Sequence, residues 1–156
     1  MGRILAVDYG ERRVGLALSD ETKAVAAEAL ETIDREKLPR QTTLEEVIGH
    51  LAQTKNVDEV VVGLPLNMNG SWGESARKAL EFAESLERST GLAVCTWDER
   101  LTSVVARRVQ RELDLPLKKR RQKDRVDRAA ALVLLQNYLN YRARIPSRQP
   151  RTTQGR

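Results

Sequence analysis

Three groups of carboxylates stand where a fold could gather them. The apolar run "ILAVDYG" closes on Asp8, the run "LAVCTWDE" ends in Asp98 and Glu99, and "KDRVDRAA" carries Asp124 and Asp127. If the strands ending at Asp8 and at Asp98-Glu99 are adjacent and parallel, their tips lie together at the edge where ligand sites of α/β sheets form. Asp124 and Asp127 are spaced i, i+3 and share one face at the start of a helix, where the dipole favours negative charge. Each acid alone has an ordinary structural use as turn former, strand end or N-cap. Together they would repel one another unless cations filled the gap, and all-oxygen ligands select hard ions such as Mg²⁺ or Mn²⁺. Two such ions about 4 Å apart activate a water on one side of a phosphodiester and stabilise the leaving oxygen on the other.

The elements that must position these acids follow from the hydrophobic pattern. Residues 3–8, 14–19 and 25–33 read as three strands; the first two are so closely spaced that they pair as an antiparallel hairpin, with Gly10 expected to supply a positive φ at the turn. The period then changes. Thr43-x-x-Glu46 forms a capping box, and Leu44, Val47, Ile48 and Leu51 make one stripe of a helix over about 43–54. "VDEVVVGLP" (57–65) is a buried strand stopped by Gly63 and Pro65. Ser71-x-x-Glu74 is expected to cap a helix running to about 89, with Ala76, Ala79, Leu80, Ala83 and Leu86 inward. "GLAVCTWDER" (91–100) is a further strand, followed by a helix capped by Thr102 or Ser103 and reaching about Glu112. "DLPLKKRRQK" (114–123) reads as a mobile loop, and a last helix over 124–141 carries the apolar run that packs on the sheet. A meander followed by crossovers gives an α/β domain with a mixed five-stranded sheet, part antiparallel and part parallel, and helices on both faces.

Charge sorts the chain further. Residues 1–99 hold 11 Lys and Arg against 18 Asp and Glu, residues 100–141 hold 11 against 4, and residues 142–156 hold five Arg and no acid. The basic end attracts a polyanion, in a cytosol nucleic acid above all. Residues 1–141 are expected to be one domain and 142–156 a basic, disordered tail. With no long apolar run, no leader pattern and a single cysteine, Cys95, the expectation is a soluble, cytoplasmic domain without membrane association, disulfide or zinc.

Four blocks, "VDYGERRVGLALSD", "VVGLPLNMNGS", "DERLTS" and "VDRAAALVLLQNYL", resemble in order the signatures of the YqgF/RuvX family, Holliday junction resolvases of ribonuclease H-like fold. The resemblance covers roughly residues 3–141. It implies metal-ligating, catalytic acids at the end of the first strand, at the end of the fourth strand in that fold's core order, and at the start of the last helix. Asp8 fits the first position and Asp127 the last, while Asp124 resembles an extra ligand of the related RuvC resolvases. At the middle position Glu99 is favoured over Asp98, because related domains place an acid a short stretch before a Ser, as Glu99 precedes Ser103. Asp98 would then face the other side of the sheet, since neighbours on a strand alternate.

The resemblance makes the expected activity a metal-dependent endonuclease, a hydrolase using two Mg²⁺ or Mn²⁺ ions. A Holliday junction in DNA recombination and repair is the first substrate. The 5′ end of precursor 16S rRNA, in ribosome biogenesis, is the alternative. Symmetric junction cutting calls for a homodimer. Nucleic-acid contacts are expected from Arg12, Arg13 and Arg100 beside the acids, from Asn67 and Ser71 in the loop that also holds Gly63, Asn69 and Gly70, and from the basic run Lys118, Lys119, Arg120, Arg121, Lys123 and Arg125. Trp72 and Trp97 are candidates for base stacking, Trp97 the more apt for core; His50 and Cys95 read as structural. A non-catalytic nucleic-acid-binding module with the same fold is a further alternative. A nucleotide-binding ATPase lobe is disfavoured, because such enzymes need a second lobe that this length does not supply.

Overall fold

The computed structural model describes residues 2–102 and 119–145, and of residues 101–102 and 119–127 it describes the backbone alone. The strands are β1 (Arg3–Tyr9), β2 (Arg13–Ser19), β3 (Ala26–Ala29), β4 (Ile33–Asp34), β5 (Val57–Leu64) and β6 (Ala93–Asp98); the helices are α1 (Leu44–Thr54), α2 (Glu74–Thr90) and α3 (Lys119–Arg144). Short 3₁₀ turns cover Arg35–Lys37 and Glu99–Thr102.

The sheet runs β3-β2-β1-β5-β6, with β4 also pairing to β2. β1 and β2 form the expected antiparallel hairpin, with Asp8 opposite Gly15, and β5 lies parallel to both β1 and β6. The expected third strand is two pieces: Ala29 pairs with Ala17, and after an interruption Ile33 pairs with Val14. The described sheet thus has six strands where five were expected. Gly10 takes no left-handed φ; its need for a bare Cα comes from the Arg13 carbonyl, which a Cβ would strike.

Side chains of each strand alternate between two cores. On one face Leu5, Val7, Val60, Val62 and Val94 pack under α1 and α2, which bring Leu44, Ile48, Ala79, Phe82 and Leu86. On the other, Ile4, Ala6, Ala17, Val61 and Trp97 meet Ala131, Leu134, Leu135 and Leu139 of α3. The alanines let α3 lie close to the sheet, and truncating Leu135 to Ala there would cost about 2–5 kcal/mol.

Helix ends show where local rules held. Thr43 caps α1 as its spacing predicts, its hydroxyl accepting from the Glu46 N–H at 3.1 Å. Ser71 does not cap α2; the N-cap is Gly73, without a side-chain bond, because Ser71 is engaged inside the preceding loop. α2 closes on Gly91 in the left-handed region at φ 72°. α3 is described from Lys119, inside the stretch expected to be a loop: Lys, Arg and Gln are good helix formers. It also continues past 141 to Arg144, where Arg142 finds Glu59 on β5. The helix expected to end near Glu112 lies outside the described residues, as does the tail beyond 145. No described helix is long and apolar enough to cross a membrane.

Candidate active site

Asp8 stands near the carboxyl end of β1, and its face follows from its neighbours. Leu5 and Val7 point to the α1/α2 core and Ile4 and Ala6 to the α3 core, so Asp8 points to the α3 side. On β5 the same alternation places Gly63 with Val61 on the α3 side, and on β6 it places Trp97 there; Glu99 follows β6 at the start of the 3₁₀ turn and brings its carboxylate to Gly63. The condition of adjacency is not met, because β5 lies between the two acid-bearing strands. Two carboxylates two strands apart can meet only if the strand between them leaves room. Gly63 provides it, since a Cβ there would run into the Glu99 carboxylate, 3.0 Å from Cδ.

The fourth strand of the five-strand path in chain order is therefore β5, and the residue it places at the site is a glycine. The middle acid comes from beyond the fifth, β6. The expectation of an acid on the fourth strand is corrected: the neighbour supplies the carboxylate and the fourth strand supplies its space.

Asp8 and Glu99 are hydrogen-bonded to each other. Burial pushes the Asp8 carboxyl above its ordinary range, while the bond from Glu99 pulls it back. Glu99 is pushed up to about 8, first by burial, then by the Asp8 charge and the shared bond, and last by Asp98. Burial thus pushes both carboxyls toward the protonated form, and each perturbs the other. Asp98 turns to a different partner. It accepts Arg100 Nε at 3.1 and 3.0 Å and Nη2 at 2.6 Å, together with the Arg100 N–H at 3.0 Å, and this bond holds its carboxyl below the ordinary range.

Asp124 and Asp127 lie in the first three turns of α3, and Asp127 precedes the buried Ala131 by one turn of spacing; their side chains lie outside the described residues. Lys119, Arg120, Arg121, Lys123 and Arg125 share that helical stretch, likewise without described side chains, and Lys118 lies outside the described residues. Among the described residues no group of three or more His, Cys, Asp or Glu is arranged as a metal cage. The donor set is nonetheless all oxygen, and a bare Cα makes the cradle. Both fit a hard divalent cation, which would draw the shared proton off the pair.

The hairpin turn after Asp8 is braced from three sides. Arg35 donates to the Tyr9 hydroxyl at 2.8 Å and to the carbonyls of Gly10 and Glu11 at 3.4 and 3.3 Å, with its guanidinium over the Tyr9 ring; Tyr9 stacks on Phe82 of α2. Glu11 pairs with Lys78 of α2, and Arg12 reaches Asp34 and Glu36 at 3.8 and 3.5 Å. Arg12 is thus engaged on the β4 side, and Arg13 sits opposite Asp34 in the β2–β4 pairing. Arg35 and Lys78 escaped the sequence reading because no local spacing connects them to residues 9–11.

The 67–71 loop is bonded to itself. Asn67 Nδ2 donates to Ser71 Oγ at 3.0 Å, and Ser71 N and Oγ donate to Asn69 Oδ1 at 2.9 and 2.6 Å. The groups expected to reach phosphate are therefore engaged in shaping the loop, against which Arg100 rests at Gly70. Trp97 is core, packed on Tyr138 and Tyr141, whereas Trp72 is exposed. Cys95 donates to Tyr138, and burial raises its thiol to about 11, while His50 lies exposed on α1. A cavity of about 650 Å³ opens between α1 and α2 at the amino end of β5, lined by Glu46, His50, Ser89 and Thr90 among others, remote from the acid pair.

The family model of RuvX, described as Holliday junction resolvase, matches residues 2–141. A protein of Halothermothrix orenii, named as a candidate pre-16S rRNA nuclease, is 43% identical over 143 residues, covering 92% of this chain and 98% of its own. A Koribacter versatilis protein of the same name is 44% identical over 141 residues, covering 90% and 88%. Among solved structures, Thermus thermophilus RuvC in complex with a Holliday junction substrate matches with a TM-score of 0.55 at 15% identity, over 92% of this chain and 96% of that one. A second structure of Thermus thermophilus RuvC gives 0.52 at 11% identity, over 89% and 96%. These two likenesses speak for the fold, which is ribonuclease H-like. The family match spans both acid-bearing strand ends and the last helix, and with relatives at more than two fifths identity over nearly the whole chain it is decisive: the chain belongs to the RuvX/YqgF family of nucleases.

Proposed function

We propose that the protein is a divalent-metal-dependent endonuclease acting on structured nucleic acid, with Asp8, Glu99 and Asp127 as metal ligands and Asp124 beside them. The observation that carries this reading is the meeting of Asp8 and Glu99 across Gly63. A rigid sheet holds two half-buried carboxylates against each other where their own chemistry favours a shared proton or a shared cation. Bound Mg²⁺ or Mn²⁺ would supply an activated water and neutralise charge on the scissile phosphodiester.

The chain's own residues do the positioning. β1 and the residue following β6 fix the two acids, and Arg35 and Lys78 hold the turn behind Asp8. Arg100, tied to Asp98, keeps that carboxylate out of the pair and presents a cation to the loop at the site's rim. The basic run of α3, Lys119 to Arg125, stands in the same helical stretch as Asp124 and Asp127, where it would hold phosphates without reading sequence.

Precursor 16S rRNA is the substrate we favour, because the names of the curated relatives point there. The junction is the second reading, supported by the description of the family model and by the likeness to RuvC; it requires two sites at fixed spacing, hence a homodimer. A work site among nucleic acids would make the protein cytoplasmic. The test is cleavage in Mn²⁺ and in Mg²⁺ of a precursor-rRNA fragment, a four-way junction and a linear duplex, with Asp8→Asn as control. Cutting of the RNA alone, abolished in the variant, is the expected result. Symmetric cuts confined to the junction would select the second reading, and silence on every substrate would leave a binding module.

A further inference from the structure

The chain has two tryptophans, and the structure gives them opposite situations. Trp97 is 8% exposed under α3, whereas Trp72 is 43% exposed and Met68, four residues earlier, is 76% exposed. Both belong to the segment between β5 and α2, which leaves the sheet directly after Gly63 and Leu64, at the edge that holds Asp8 and Glu99.

That segment is not slack. The Asn67 N–H donates to the Ser71 carbonyl at 3.1 Å and the Gly70 N–H to the Asn67 carbonyl at 2.8 Å, in addition to the side-chain bonds among Asn67, Asn69 and Ser71. Gly70 has φ 86°, and a Cβ on it would approach Arg100 Nη1 at 3.2 Å. The bracing engages Asn67 Nδ2, Asn69 Oδ1 and the Ser71 hydroxyl with one another. Among the exposed side chains of the loop are a thioether and an indole, with the Arg100 guanidinium beside Gly70. Apolar surface held out in water by a braced loop implies a ligand with apolar faces.

We propose that Trp72, with Met68, forms a platform that stacks on an unpaired base flanking the scissile phosphate, so that the enzyme selects substrates with unstacked nucleotides at the cut. The proposal rests on the nuclease reading and names the substrate class of that site. Bases inside an uninterrupted helix have both faces covered by their neighbours, whereas a loop, bulge, single-stranded end or strand-exchange point presents a free face. Stacking tolerates any base, so the selection is for shape and not for sequence.

The test uses the full chain without metal, in EDTA, so that binding is read apart from cleavage. Tryptophan fluorescence is followed while single-stranded, bulged and fully paired oligonucleotides are added. The expected result is quenching by the unpaired substrates only, lost in Trp72→Phe, which leaves Trp97 as the remaining fluorophore. Trp72→Ala should weaken binding of unpaired substrates by about fivefold or more, Trp72→Phe by less, and paired substrates should not distinguish the three proteins. Equal affinity of wild type and Trp72→Ala for unpaired substrates would overturn the proposal. So would quenching by paired and unpaired substrates alike, or a Trp72→Ala protein that changes only its mass in light scattering, which would make the loop a protein interface. Quenching without cleavage of any substrate would sink the nuclease reading and spare the platform; cleavage without quenching would do the reverse.

Discussion

The α3 face of the sheet carries partly buried carboxylates at both ends, and the two ends treat them differently. At the amino end Glu59 of β5 receives Arg142 Nη2 at 3.2 Å from α3 and Lys23 Nζ at 3.2 Å from the loop after β2. At the carboxyl end, four residues along the same strand, Gly63 opens the space in which Glu99 meets Asp8. Glu59 is matched with cations, and Glu99 is set against a second acid. A carboxylate matched with Arg and Lys is finished as a piece of architecture. Two carboxylates set against each other repel once both are charged, and a divalent cation would relieve that repulsion, which is the arrangement the proposed nuclease site calls for.

The sharpest way to break this contrast is Asp8→Asn. Loss of one of the paired acids should reduce cleavage by at least about a thousandfold while the hairpin, whose pairing uses backbone, keeps its fold. Residual activity within tenfold of wild type, measured on the same substrate in Mn²⁺, would remove Asp8 from the chemistry. Next comes Gly63→Ala, whose methyl group falls on the Glu99 carboxylate. Activity should fall about a hundredfold, with about 1–3 kcal/mol lost in urea unfolding. Gly91→Ala is the control: it strains a left-handed residue with nothing within 4 Å, so it should cost about 1 kcal/mol and leave the cleavage rate unchanged.

At the opposite end Arg142→Ala should cost about 1–2 kcal/mol, since Glu59 keeps Lys23, and cleavage should stay within twofold. A large activity loss there would mean that the two ends are coupled through α3. The smallest effect concerns pH. Glu99 titrates higher in the folded metal-free protein than in the unfolded chain, so its contribution is intact at low pH and is lost as pH rises through about 8. Glu99→Gln should therefore melt about 3 °C or more above wild type at pH 8.5 in EDTA, with the gap closing at pH 5. A gap independent of pH would argue against burial of that carboxyl.

Much of this was legible in the sequence because it is local. The hairpin, the Thr43 cap, the buried strand after residue 57 and the acids at strand ends all follow from spacing of a few residues. Different partners for Asp98 and Glu99 agree with the separate roles read for these neighbours, although Glu99 itself begins the 3₁₀ turn after the strand. What escaped was set by strand order. No pattern in residues 1–100 says that β5 enters between β1 and β6, and without that fact Gly63 reads as a strand terminator and not as the hole that the site requires. Ser71-x-x-Glu74 misled for the converse reason, because a Ser three residues before a Glu caps a helix only if its hydroxyl is not already taken by Asn69. Helix α3 ran past both expected ends because the Lys and Arg that read as loop and tail are good helix formers, and Arg142 gains a partner 83 residues away.

The half-buried Cys95 offers a practical handle on the motion of α3. It is the chain's one thiol, it lies under α3 with its hydrogen on Tyr138, and its high pKa makes the thiolate scarce. Lifting of the end of α3 from the sheet would expose the thiol more fully and speed its alkylation. Its rate of modification is therefore a built-in clock for that opening, readable by mass spectrometry without any engineered label, and a substrate that clamps α3 should slow it.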